Sequence, residues 1–229
     1  MNNLLAPLFQ FYESSNHIDT IDCAFHYGSS LNSKNYNDID IFIISKQCTH
    51  GYLNYKIGSY DIVVVSEKEF AKLIHLFDPG VMEPTLTGRI IKGNSACAEL
   101  QLYLSNTLIM NALAATHYAR EFIKYYNAGN SMLIKVDRGN LLTLNEVLKS
   151  YSWANTYISL LQYYYATEYP HIISYSDLID SKYCCSCALV EVRANAKKGN
   201  HIYVEDMFAV KAELDGCFTK EIIVGTLTK

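Results

Sequence analysis

The hydrophobic pattern of this chain changes near residue 94, and this change constrains the fold more than any other feature. Before it, short apolar runs alternate with turn residues, as in "DIDIFIIS" at 38–45, which is typical of β-strands. After it, residues 95–127 contain neither glycine nor proline and carry apolar side chains at three- and four-residue steps. We therefore expect an α+β protein with an N-terminal mixed β-sheet domain at 1–94 and a C-terminal α-helical bundle at 95–229.

The N-terminal region is predicted to contain five strands. They cover 21–28, 38–45, 52–58, 60–66 and 87–93. A short amphipathic helix is expected at 3–15, ahead of the first strand. Ser66 and Glu69 have the spacing of a capping box, in which two side chains bind the first amides of a helix. A helix should therefore begin where the fourth strand ends.

The C-terminal region is predicted to be mostly helical. One long helix should end near Gly129, because glycine is unfavourable in the interior of a helix. Thr143 and Glu146 form a second capping box, for a helix that runs toward Tyr165. Two further helices are expected at 176–198 and 203–217.

Composition excludes several classes of protein. Half of the 229 residues are hydrophobic, which is enough for substantial cores and argues against disorder. The net charge is -4 and no run of Lys or Arg exceeds two, so the broad basic surface of a duplex nucleic-acid binder is missing. The N-terminus has no basic lead, and Pro7 interrupts its short apolar run, so we expect a cytoplasmic protein without a membrane contact.

The seven cysteines are odd in number and irregularly spaced. Cys184, Cys185 and Cys187 form the cluster "CCSC", which lacks the second pair of ligands that a zinc site needs. We therefore expect reduced thiols packed in the core.

An acidic pair lies inside an apolar strand. Asp38 and Asp40 are two residues apart, so their side chains project from the same face. Asp61 stands at the start of another apolar strand. Three carboxylates on neighbouring strands would repel one another, and bound cations would relieve that repulsion. Hard oxygen ligands of this kind suit Mg²⁺ or Mn²⁺.

The segment "YGSS" precedes the acidic pair. Glycine at position 28 lets the backbone approach an anion closely. Ser29 and Ser30 add hydroxyl and amide donors at the expected start of a helix, where the helix dipole favours phosphate. This turn is therefore predicted to bind a phosphate group.

The order of these motifs resembles the nucleotidyltransferase superfamily typified by DNA polymerase β. Its signature is a Gly-Ser turn, a DxD-type carboxylate pair and a later single carboxylate. The segment "EPTLTGRIIKG" at 83–93 also looks like the end of the minimal nucleotidyltransferase domains, where a helix precedes an apolar strand that ends in glycine. The resemblance covers about residues 20–94. The helical half resembles no particular family, although such enzymes often add a helical domain.

The resemblance implies a reaction and a set of site residues. Asp38, Asp40 and Asp61 would be the catalytic residues and the ligands of Mg²⁺ or Mn²⁺. An acceptor hydroxyl would attack the α-phosphate of an NTP, with ATP as the expected co-substrate, and pyrophosphate would leave. The residues expected to bind the nucleotide are Gly28, Ser29, Ser30 and Lys34. Lys34, Arg89 and Lys92 are the cations near the motifs that could help pyrophosphate to leave.

Several alternatives remain open. The acceptor is expected to be a small hydroxylated molecule, but a tRNA end or a protein side chain would use the same chemistry. A nucleotide-binding or regulatory module without turnover is a third interpretation, and a glycosyltransferase that uses DxD is a fourth. His26 is expected to be a hydrogen-bonded strand residue rather than a base. The many tyrosines of the helical half are expected to pack in its core.

Overall fold

The structure is a computed structural model that describes most of the chain. The described residues are 21–31, 38–46, 48, 51–93, 95–107, 109–137, 144–168 and 170–217. The helix expected at 3–15, the nucleotide-binding candidate Lys34 and the capping residue Thr143 lie outside these ranges. The described residues form two compact units, which divide between residues 108 and 109. No helix in the described ranges is both long enough and apolar enough to span a membrane.

The first unit is built on a mixed five-stranded sheet. Its strands are β1 (Ile21–Tyr27), β2 (Ile39–Ser45), β3 (Tyr52–Ile57), β4 (Tyr60–Ser66) and β5 (Arg89–Lys92). Their order in the sheet is β3-β4-β2-β1-β5. β2 and β4 run parallel, whereas the other neighbouring pairs are antiparallel. Each of the five predicted strands is therefore confirmed.

Both faces of the sheet contribute to the core. One face carries a cluster of buried side chains, consisting of Ala24, Ile39, Ile41, Ile43, Tyr60, Ile62 and Val64. On the other face Phe42 lies between Phe25 and Phe70, with ring centroids 6.4 and 6.2 Å away. β2 is buried at every position except Asp40, as expected for an interior strand.

The described residues of the first unit also form three α-helices: α1 (Glu67–His75), α2 (Pro79–Thr87) and α3 (Ser95–Thr107). Ser66 caps α1, because its Oγ accepts a hydrogen bond from the backbone N–H of Glu69 at 3.1 Å. The predicted start of this helix is confirmed. The sequence of α2 and β5, closed by Gly93, also has the order that was predicted for 83–93.

The second unit is helical. Its helices are α4 (Ala112–Asp137), α5 (Leu144–Ala166), α6 (Tyr175–Ile179), α7 (Cys187–Lys197) and α8 (Val204–Cys217). The α+β class, with a mixed sheet followed by a helical region, is thus confirmed. The helix predicted at 203–217 corresponds to α8.

The prediction of one long helix that ends near Gly129 is wrong. The helix breaks before Ala112, because Met110 N–H donates to the carbonyl of Pro170 and Asn111 Oδ1 accepts from the amide of Ala114. α4 then continues through Gly129, where a side chain would meet the ring of Tyr151 on α5 at 2.4 Å. Glycine here permits close packing of two helices and does not end one.

The single helix predicted at 176–198 is also wrong. α6 ends at Ile179, and α7 begins only after Ser186, whose Oγ accepts a hydrogen bond from Leu189 N–H at 3.1 Å. A buried serine at the N-cap therefore sets the start of α7, and the hydrophobic spacing of the sequence did not reveal it.

Two of the cysteines are paired, contrary to the expectation of reduced core thiols. Cys23 on β1 and Cys97 on α3 form a disulfide, with their Cα atoms 6.1 Å apart. They are 74 residues apart in the chain, so spacing alone could not connect them. The five remaining cysteines are Cys48, Cys184, Cys185, Cys187 and Cys217, and all of them are free.

Candidate active site

The three predicted carboxylates meet at one end of β2 and β4. The parallel pairing places Asp40 directly beside Asp61. Asp38 precedes Asp40 by two residues and so shares its face of the strand. Each aspartate has a carboxylate oxygen that lies within 4.8 Å of those of the other two. All three side chains are partly buried, which limits how far solvent can screen their charges.

Gly28 lies against this cluster. It follows β1 with a φ of 77°, a conformation that glycine adopts without strain. A β-carbon built at this position would lie 2.1 Å from Oδ2 of Asp40. The absence of a side chain at Gly28 therefore makes room for the Asp40 carboxylate.

Ser29 and Ser30 follow as part of a single 3₁₀ turn, Ser29–Leu31. The turn is closed by a hydrogen bond of 3.2 Å from Leu31 N–H to the carbonyl of Gly28. A turn this short has no substantial helix dipole, so phosphate binding here would rest on local amide and hydroxyl donors.

His26 supports this turn. Its Nε2 lies 2.7 Å from Oγ of Ser30, which confirms that it is a hydrogen-bonded strand residue. Burial, and secondarily the charge of Arg89, lower the pKa of His26. The ring is therefore neutral at pH 7, and its hydrogen bond holds the Ser30 hydroxyl at the turn that follows β1.

The register places Arg89 away from the carboxylates. Arg89 pairs with His26, which in turn pairs with Ile41 on β2. Ile41 is the residue after Asp40, so the alternation of side chains puts Arg89 on the opposite face of the sheet. Lys92 pairs with Ala24, which is further still from the Gly28 turn.

Two residues that the motifs did not identify lie beside the aspartates. Tyr27 pairs with Asp40 across β1 and β2, and Lys56 pairs with Asp61 across β3 and β4. Burial, followed by the negative charge of nearby carboxylates including Asp40 and Asp61, raises the pKa of Tyr27. Its hydroxyl is therefore protonated at neutral pH and can act only as a donor toward them. The signal for Lys56 was the hairpin through Gly58, since counting outward from that turn places it opposite Asp61.

The three aspartate carboxylates are suitable ligands for a divalent cation. Of the His, Cys, Asp and Glu side chains that the structure describes, only these three aspartates form a group of at least three with ligand atoms mutually within 4.8 Å. They offer hard carboxylate oxygens alone, the type that Mg²⁺ and Mn²⁺ prefer. Cations bound there would also compensate the mutual repulsion of three neighbouring carboxylates.

The likeness of this chain to known proteins is distant. No protein-family model and no curated protein matches the chain. A solved structure described as a nucleotidyltransferase-like protein from Exiguobacterium sibiricum 255-15 is similar, with a TM-score of 0.39 and 11% sequence identity. The similarity covers 93% of this chain and 73% of that chain. A likeness this distant does not establish a shared reaction, so function rests on the carboxylates and the Gly28 turn.

Proposed function

We propose that this protein is a metal-dependent nucleotidyltransferase. It moves a nucleoside monophosphate from an NTP, with ATP as the expected donor, to an acceptor hydroxyl and releases pyrophosphate. The observation that carries the proposal is the group of three aspartates with ligand atoms within 4.8 Å of one another, beside a glycine turn against which the Asp40 carboxylate packs. The sequence order of these motifs supports it.

Asp38, Asp40 and Asp61 are the residues that would hold Mg²⁺ or Mn²⁺. When bound, the cations would neutralise the charge of the triphosphate and polarise its phosphorus–oxygen bonds. Gly28 lets the backbone come close to the phosphates, and the donors of Ser29 and Ser30 bind and orient them.

The proton of the acceptor hydroxyl must be taken up as the new oxygen–phosphorus bond forms and the bond to pyrophosphate breaks. Tyr27 does not take it, because its own hydroxyl stays protonated. We assign this step to Asp61, which lies near the start of β4 beside Asp40. Lys56, opposite Asp61, supplies positive charge next to the reacting phosphate.

The acceptor is proposed to be a small hydroxylated molecule. A net charge of -4 disfavours an extended contact with RNA, whose affinity depends on many phosphate contacts. We also propose that region 1–94 carries out the nucleotide chemistry and that region 95–229 selects the acceptor.

The test combines labelled nucleotides with a direct measurement of metal binding. The protein is incubated with Mg²⁺, each α-labelled NTP and separate pools of small hydroxylated molecules, RNA or protein. Label is expected to move from ATP to the small-molecule pool. Transfer to RNA or protein would keep the reaction but overturn the proposed acceptor.

Asp40→Asn removes a ligand charge while preserving shape. We expect it to lower transfer by at least about 100-fold, the upper end of the loss seen when residues that merely support metal ligands are changed. Calorimetry should show weaker Mn²⁺ binding. Glu67→Gln, at an exposed carboxylate of the same unit, is the matched control and should change neither. The proposal fails if the unaltered protein shows no metal-dependent binding of any NTP.

A further inference from the structure

A pair of thiols lies in the second unit, where the start of α7 approaches the end of α8. Cys185 precedes α7 by two residues, and Cys217 is the last residue of α8. The Sγ of Cys217 lies 3.4 Å from the backbone carbonyl oxygen of Cys185. The two thiols are close enough to shift each other's pKa. Residues 32 positions apart in the chain are thus in direct contact.

Buried polar groups hold this pair in place. The backbone N–H of Cys185 donates to Oγ of Ser159 on α5 at 3.1 Å, and Ser159 is fully buried. The neighbouring Ser186, also fully buried, donates from its Oγ to Glu213 on α8 at 2.8 Å. Glu213 lies one helical turn before Cys217. Three helices therefore fix the positions of the two sulfur atoms.

The contact makes the two thiols chemically different. Interaction with the Cys185 side chain lowers the pKa of Cys217 to about 7. The side chain of Gln162 also lowers this pKa, whereas burial and the charge of Glu213 raise it. The same interaction raises the pKa of Cys185, and burial is the second largest cause of this increase. Cys217 is therefore the more acidic of the two thiols and forms the nucleophilic thiolate more readily, whereas Cys185 keeps its proton. Both side chains are only partly buried, so a small oxidant can reach them.

We propose that Cys217 and Cys185 are a peroxide-reactive redox pair that closes reversibly to a disulfide. The thiolate of Cys217 attacks one oxygen of hydrogen peroxide, so that a sulfur–oxygen bond forms, the oxygen–oxygen bond breaks and hydroxide leaves. Cys185 then attacks the resulting sulfenic acid. The sulfur–sulfur bond forms, the sulfur–oxygen bond breaks, and the hydroxyl leaves as water with the proton from Cys185. The two thiols lose two electrons, and the peroxide is reduced to water.

The neighbouring cysteines are arranged differently. The Sγ of Cys184 contacts the carbonyl of Ser186 at 3.7 Å and accepts from the amide of Asn155 at 3.8 Å. Cys187 is exposed at the first position of α7. Neither takes part in the contact with Cys217, so both serve as internal controls.

Peptide mapping of the full chain tests the proposal directly. The folded protein is treated with one equivalent of hydrogen peroxide, its remaining thiols are alkylated, and it is digested with trypsin. Cleavage after Lys182, Arg193, Lys211 and Lys220 places Cys185 in peptide 183–193 and Cys217 in peptide 212–220. We expect these peptides to be cross-linked, with fragmentation locating the bond at Cys185, and dithiothreitol to separate them.

Variants distinguish the two roles. Cys184→Ser and Cys187→Ser should keep the cross-link. Cys185→Ser should lose it and leave Cys217 as a sulfenic acid that dimedone traps, and Cys217→Ser should lose both products. The proposal is overturned if Cys217 joins Cys184 or Cys187 instead, or if Cys217 reacts no faster with peroxide than the exposed Cys187. The disulfide of Cys23 and Cys97 gives other peptides and is not confused with this one.

Discussion

At the scale of single residues, the side chain that Gly28 lacks leaves room for Asp40. A β-carbon there would lie 2.1 Å from Oδ2 of Asp40, far inside van der Waals contact. Gly58 has a similarly positive φ of 59°, but a β-carbon on it would meet nothing within 4 Å. The two glycines share a backbone requirement, and only Gly28 has the additional contact.

Gly28→Ala should therefore displace the Asp40 carboxylate and weaken metal-dependent NTP binding at least about tenfold, which corresponds to ~1.4 kcal/mol. Gly58→Ala should lower the free energy of unfolding by ~1 kcal/mol through backbone strain, without affecting NTP binding. Calorimetric titration with Mg²⁺ and ATP, together with urea unfolding, checks both. Equal binding by the two variants would show that the Gly28 turn is not part of the site.

His26 predicts a pH dependence of stability. Burial lowers its pKa in the folded protein below the value in the unfolded chain, so the unfolded chain binds more protons between the two values. The contribution of His26 to the free energy of unfolding is fully present above about pH 6.5, the ordinary pKa of histidine. It decreases as the pH falls from there toward the lower pKa of the folded protein.

In His26→Gln, whose amide can still bind Ser30, the decrease in unfolding free energy between about pH 7.5 and 5 should be smaller. Urea unfolding of both proteins at each pH measures the difference, which isolates His26 from other titrating groups. If the unfolding free energies of the two proteins changed with pH in parallel, His26 would not contribute to the pH dependence of stability.

Spacing in the sequence was sufficient to find the aspartates, because residues two apart on a strand share a face wherever the strand lies. Tyr27 and Lys56 could not be found in this way. Tyr27 lies beside Asp40 only through the β1–β2 register, and Lys56 lies beside Asp61 only through the hairpin register. The pairing of Cys23 with Cys97 could be predicted only from the position of α3 against β1, which the sequence does not show.

At the scale of elements, strands and caps were predicted well and helix breaks were not. Short apolar runs bounded by turn residues gave all five strands, and the Ser66 cap gave the start of α1. The break before α4 instead depends on Met110, which binds the carbonyl of Pro170 far along the chain. Local spacing carries no information about such a partner. It also misassigned Gly129, whose role lies in the contact between α4 and α5.

Replacing each of two helical glycines by alanine should change the stability of the protein in opposite directions. Gly129→Ala would place a methyl group 2.4 Å from the Tyr151 ring, so the helices must separate, at a cost of about 1–3 kcal/mol. Gly216 on α8 has nothing within 4 Å, and Gly216→Ala should add about 0.5–1 kcal/mol of stability through helix propensity. Thermal and urea unfolding compare them. If Gly129→Ala were stabilising as well, close packing at Tyr151 would be refuted.

At the scale of the whole molecule, the change of pattern near residue 94 predicted the α+β class. The compact units divide later, at residues 108 and 109, because α3 belongs with the sheet. The disulfide of Cys23 and Cys97 lies within the first unit. The single tryptophan of the sequence, Trp153, lies on α5 in the second unit and stacks on Tyr125 and Tyr157. Its fluorescence therefore reports on the helical unit.

Cys97→Ser should destabilise the first unit by about 2–4 kcal/mol, because the crosslink no longer restricts the unfolded chain. Hydrogen exchange in the five strands should accelerate, while the unfolding midpoint measured by Trp153 fluorescence should change little. The double variant with Cys23→Ser should lose no more than the single one, since one bond is removed in both cases. Cys48→Ser, at a free and partly buried thiol, is the control for the substitution itself. Additive losses in the double variant, or unchanged exchange in the strands, would show that the two sulfur atoms are not bonded in the folded protein.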